Sequence, residues 1–145
     1  MLTTRQFAAR HAEFEQRGVA IVRIFRSPVR ALQQHASGPH AVPFPVLADP
    51  KKETYRLYGV GGGFTWMLSL FRPATHARIL QARREGLKPR WRDAIRDGMS
   101  GNPADFLIGR DGRIVRAHYG RFFADSVLPK AALAWIDAAY PPAPR

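Results

Sequence analysis

Residues 19–25 read Val-Ala-Ile-Val-Arg-Ile-Phe, a nearly continuous β-branched run of the kind expected in a strand buried on both faces. Helix signals flank it. Before it, residues 3–17 place Phe7, Ala8, His11, Phe14 and Glu15 near helical spacing, and Gly18 supplies the residue that ends a helix. After it, Ser27 and Pro28 offer an N-cap and a first-turn proline. They open a helix to about Ala36, which Ser37-Gly38-Pro39 ends. A buried strand between helices restricts the chain to an α/β architecture.

The rest of the chain fits that restriction. Residues 43–49 form a short extended segment, and Asp49-Pro50 repeats the cap-plus-proline start for a helix over about 51–58, ended by Gly59. Residues 104–108 and 113–119 flank Gly109-Arg110-Asp111-Gly112, and Asp-Gly between two β-patterned runs signals a hairpin. A last helix over about 126–140 places Val127, Leu128, Ala131, Leu133, Trp135 and Ile136 largely on one side. The expected order is helix, strand, helix, short strand, helix, insert, hairpin, helix, with a mixed sheet flanked by helices.

The chain has 145 residues, which fits one domain over 1–145, with residues 61–101 standing apart as an insert. Two helices are expected in the insert, at about 64–85 and 89–98. No cysteine is present. That excludes a disulfide scaffold, cysteine zinc sites and thiolate chemistry within these residues. No apolar run approaches the ~20 residues of a transmembrane helix, and no signal-peptide pattern opens the chain. A cytoplasmic location and no membrane association are therefore expected.

The formal net charge is +12. Eight basic residues lie between Arg72 and Arg96 against Glu85 and Asp93, so 25 residues carry +6. Such a local field attracts phosphate or an acidic partner. The candidate contacts are Arg78, Arg83, Arg84, Lys88, Arg90 and Arg92. The plain alternative is a solvated helix face. Trp91 is the one aromatic among these charges, so any nucleic-acid binding would be electrostatic and not sequence-reading.

The strings themselves resemble a known family. Phe14-Glu15-Gln16-Arg17-Gly18-Val19-Ala20-Ile21-Val22 is similar to the F-x-x-x-G-V-x-V-V segment of the peroxiredoxin-like AhpC/TSA superfamily. Residues 44–50 match its F-P-V-L-x-D-P motif, and Tyr55 with Tyr58-Gly59-Val60 its Y-x-x-Y-G-V. Residues 103–114 resemble P-x-x-F-L-I-D-x-D-G-x-I. The resemblance implies a thioredoxin-like fold lacking its first strand, with a helical insert, and an ancestry in antioxidant thiol chemistry.

It also exposes a departure. The family's catalytic cysteine follows the first strand, and an ungapped count back from Phe14 puts that motif at or just before Met1. Met1, Leu2, Thr3 and Thr4 stand there, and none is a thiol. A peroxidase of this kind needs a thiolate to attack peroxide. The expectation is therefore no catalytic residue and no thiol peroxidase activity in this form. The absent strand lies, in the family's fold, between the strands matched by residues 19–25 and 104–108. Its loss leaves two rows of backbone groups without partners, at ~1–3 kcal/mol for each buried one. Either the two strands close up, or a partner supplies or covers the gap, or the natural reading frame starts upstream. A longer frame is the expected gene history, and a partner the expected remedy for a chain folding alone.

Further expectations attach to single features. Pro103 aligns with the family's cis-proline, which implies a cis Asn102–Pro103 bond. His11, His35, His40, His76 and His118 show no helical metal spacing, so no metal or other cofactor is expected, and His11 and His118 read as structural. Gly61-Gly62-Gly63 reads as a hinge because it lacks a phosphate loop's ending. Phe64, Trp66, Met67, Leu68, Leu70 and Phe71 are six large apolar residues within eight. They fit either an oligomer contact, with a homodimer favoured, or burial beside the chain's own sheet. Phe64, Trp66, Met67, Leu70 and Phe71 are the interface candidates.

Overall fold

A computed structural model describes residues 2–36, 41–61, 80, 84, 102–121 and 125–141. Their elements run α1 (Leu2–Ala9), α2 (His11–Glu15), β1 (Arg23–Phe25), α3 (Val29–Ala36), β2 (Val46–Ala48), α4 (Glu53–Leu57), β3 (Ala104–Ile108), β4 (Ile114–Tyr119) and α5 (Pro129–Ala139). The order is that expected from the sequence. Leu80 and Arg84 are helical and exposed, and the remainder of the insert lies outside the described residues.

The two glycine stops work through backbone geometry. Gly18 and Gly59 have φ of 67° and 65°. At the first, the N–H of Val19 donates to Phe14 O at 3.0 Å and that of Gly18 to Glu15 O at 2.8 Å. At the second, Val60 donates to Tyr55 O at 2.7 Å and Gly59 to Arg56 O at 3.1 Å. Both are Schellman closures, which need a left-handed residue to satisfy the last helical carbonyls.

Several boundaries move from the sequence expectation. The first helix is broken at Arg10, whose guanidinium is held by Glu13. The strand expected over 19–25 is paired only at 23–25, because β2 offers three residues to pair with. The helix after Asp49 starts at Glu53, since residues 49–52 first form a turn closed by Lys52 N–H to Asp49 O at 3.1 Å. Asp49 still caps this helix across the turn. Its carboxylate accepts from the N–H groups of Glu53 and Thr54 at 2.8 Å and of Tyr55 at 3.3 Å. The last helix begins with Pro129 in its first turn and not at residue 126. It buries Leu133 and Ile136, whereas Leu128 and Ala131 are exposed.

One mixed sheet was expected. The described strands instead form two: β1 and β2 pair in parallel, and β3 and β4 pair antiparallel as a hairpin. Among the described residues no ladder hydrogen bonds join the two sheets. Packing on one side connects them. Phe7, Phe14, Ile21, Phe44, Leu107, Leu133 and Ile136 form one buried cluster, with the Phe7 and Phe14 rings 5.4 Å apart. It draws on α1, α2, β3, α5 and the segments leading into β1 and β2.

Candidate functional site

A cavity of about 540 Å³ lies between the sheets. Val22, Ile24 and Arg26 line one side, and Ala104, Phe106 and Ile108 the other. The hydrogen-bond registers fix which way these strands face. On β1, Arg23 N–H donates to Pro45 O and Phe25 O accepts from Asp49, so residues 23 and 25 turn their backbone groups to β2. Val22, Ile24 and Arg26 must turn theirs away. On β3, Pro103 O accepts from Gly120 N–H at 2.8 Å, so residues 103, 105 and 107 face β4. Ala104 and Phe106 again face away. The two outward edges border the same cavity.

A few polar groups sit in this apolar space. The Arg23 guanidinium reaches from β1 to within 3.7 Å of the Asp105 carboxylate on β3, and it lies over the Phe7 and Phe25 rings. Burial lowers the Arg23 pKa, and Asp105 opposes that shift. Burial likewise raises the Asp105 pKa, although the Val127 N–H, Arg23 and His118 favour its ionised form. The Val127 bond is 2.8 Å. Tyr55 donates its hydroxyl to Ile24 O at 3.2 Å, and burial raises its pKa, which keeps the phenol protonated. Thr4 Oγ1 and Asn102 Oδ1 are buried without a hydrogen-bond partner among the described residues, and both residues line the cavity. Thr4 is 5% exposed.

His118 Nε2 lies 3.0 Å from Asp125 O and 3.3 Å from its carboxylate. His11 packs on Phe44 and faces Glu15 at 3.4 Å. Both histidines serve structural contacts. Among the described residues no three metal-ligating side chains come together.

The cis expectation for Pro103 is corrected. The Asn102–Pro103 peptide is trans. Pro103 sits in an extended approach to β3 with its carbonyl accepting from Gly120 N–H, and the bond before it keeps the ordinary trans preference of an X–Pro peptide, ~0.5–1 kcal/mol.

A family model described as AhpC/TSA antioxidant enzyme matches residues 6–121. The chain belongs to the AhpC/TSA family. No curated protein and no solved structure matches it. AhpC/TSA membership implies a thioredoxin-like fold, and the mixed α/β elements with small sheets agree with it. The cavity lies between the strands that the family resemblance separates by one strand.

Of the basic candidates, Arg84 is helical and exposed. Arg78, Arg83, Lys88, Arg90 and Arg92 lie outside the described residues, as do Phe64, Trp66, Met67, Leu70 and Phe71. Among the described residues no helix is long and apolar enough to cross a membrane. Sequence reasoning missed Arg23, Tyr55 and Asp105 as site residues. The signal available was one opposite charge in each of two otherwise apolar strand strings, VAIVRIF and ADFLI.

Proposed function

We propose that this AhpC/TSA chain is a peroxiredoxin-like domain of thiol-redox ancestry that has no thiol peroxidase activity in this cysteine-free form and acts by binding. The observation that carries this reading is the chemistry of the cavity. Its polar groups are hydroxyls, an amide, the Tyr55 and Tyr58 phenols, the Arg23–Asp105 pair and Arg26, with Thr3 and Thr4 on the wall and no cysteine in 145 residues. A threonine hydroxyl has no sulfur to oxidise and cannot pass through a sulfenic acid, the step on which thiol peroxidase chemistry depends. Peroxide consumption with a thiol reductant is the test. The rate should equal that of reductant alone, and protein-dependent consumption overturns the reading.

A second reading uses the basic insert to hold an acidic partner or nucleic acid in the cytoplasm. The +6 within 25 residues favours it. Binding should weaken steeply with salt in a shift assay. Absence of binding at low salt leaves the charge as surface composition. The apolar residues 64–71 support a homodimer, to be read from the mass in size-exclusion chromatography with light scattering; a monomer removes that proposal.

A further inference from the structure

We infer that the cavity between β1 and β3 is a strand-acceptor slot, taking a short, uncharged, extended peptide segment of a partner protein that joins the two sheets into one. The inference rests on the reading of this cavity as a binding site and not on the lack of peroxidase activity. The peptide and peroxide experiments therefore fail independently.

Two observations specify an extended chain. Among the described residues both bordering strands are paired on one side only, and both turn backbone N–H and C=O groups into the same space. On β1 these belong to Ile24 and on β3 to Ala104 and Phe106. An inserted strand sits ~4.8 Å from each neighbour and offers donors and acceptors to both sides at once. This is the β-augmentation mode of peptide capture, here with two edges in place of one.

The polar groups narrow the chemistry. Arg23 and Asp105 already neutralise one another and the Arg26 guanidinium lies over the Tyr55 ring, so a charged side chain entering beside the pair would be buried without a counter-charge. Thr4 Oγ1 and Asn102 Oδ1 are buried and unpartnered, which accommodates small hydroxyl side chains. The remaining wall is largely apolar, with Ile24, Phe106, Val127 and Trp135. The favoured guest is therefore a strand of β-branched apolar and hydroxyl residues. Ile24 O is meanwhile occupied by the Tyr55 hydroxyl at 3.2 Å, a long bond that a backbone N–H from the guest replaces.

The probe is a blocked peptide of alternating valine and threonine, five residues long to match β3. The control is the same peptide N-methylated at every second residue, which cannot donate to both edges. Hydrogen exchange at the amides of Ile24, Ala104 and Phe106 is followed by NMR on the whole chain. The unmodified peptide should slow exchange there by at least about tenfold, and the methylated one should not. Ala104→Pro deletes a slot-facing N–H while leaving the β3–β4 bonds at Asp105 and Leu107, and should weaken binding. Tyr55→Phe frees Ile24 O and should strengthen it. Equal binding of the methylated control overturns the proposal, as does a lack of protection at millimolar peptide. Protection without peptide also overturns it. If that protection is independent of protein concentration, the chain fills its own slot. If it rises with concentration, a second copy does.

Discussion

The Arg23 guanidinium and the Asp105 carboxylate meet at 3.7 Å and tie two sheets that share no ladder hydrogen bonds among the described residues. Both side chains are mostly buried, at 19% and 16% exposure. In such a place a pair can be nearly neutral as a pair and costly when broken. Asp105→Ala should destabilise by about 3 kcal/mol, because it strands a buried cation and also removes the acceptor for Val127 N–H. The double change Arg23→Met with Asp105→Leu should recover most of that loss. Urea denaturation of the two singles and the double checks this, and additive losses would count against a coupled pair.

Backbone strain and crowding separate at the glycines. At Gly59, with φ of 65°, a Cβ would meet nothing within 4 Å. Gly59→Ala should therefore cost only the left-handed penalty, ~1 kcal/mol. At Gly120 a Cβ would lie 2.5 Å from Asp125 O and 2.9 Å from Pro103 O. Both are backbone atoms and cannot step aside. Gly120→Ala should lower the thermal midpoint clearly more than Gly59→Ala, in a melt of both variants.

Helix stops, cap positions and the hairpin were legible because they depend on a few local residues. Gly18, Gly59, Asp49 and the Asp111-Gly112 turn each act within six residues of their partners. Strand extent was not legible in the same way. Residues 19–22 carry the same β-branched pattern as 23–25, but in the parallel register they lie opposite residues 42–45, ahead of the start of β2, where Pro43 and Pro45 offer no N–H. The two-sheet arrangement was hidden for a related reason: pattern reports that a strand is buried, and not what lies beside it. The resemblance located the gap, since it named the strand absent between residues 19–25 and 104–108. It misled at Pro103, where the bond keeps the ordinary trans preference of an X–Pro peptide. Arg23, Tyr55 and Asp105 come from three separated segments, and their meeting is a property of the tertiary fold.

The core has an identifiable centre. Phe14 is 2% exposed and its ring lies 5.4 Å from Phe7. Its carbonyl also accepts the Schellman bond from Val19, so the residue joins the helix end to the approach to β1. Phe14→Ala should cost about 3–5 kcal/mol through lost burial and the residual cavity. Phe14→Leu keeps most of the volume and should cost less than half as much. Chemical denaturation of both variants measures the difference; equal losses would show that ring contact and not volume dominates.

Stability in acid should carry opposing contributions from two carboxylates. Burial alone would raise the Asp49 pKa, but the N–H groups of Glu53, Tyr55 and Thr54 more than reverse this, and the folded value lies below the ordinary one. Its contribution is complete above an unfolded pKa of about 3.9 and is lost as pH falls through the folded value. Asp105 shifts the other way, with burial as the main cause. The folded chain holds its proton more tightly, so stability rises as pH falls through the raised folded value toward about 3.9, and the burial cost returns above it. Glu13 and Asp137, each held by an arginine, add to the loss at low pH. Melting should therefore be followed from pH 7 to pH 3. Asp49→Asn should lower the midpoint by about 4 °C at pH 7, because an amide has one accepting oxygen where the carboxylate takes three N–H bonds on two. The gap to wild type should close as pH drops below about 4, where the wild-type carboxylate becomes protonated too. A gap that stays constant with pH would assign Asp49 a packing role in place of a charged one.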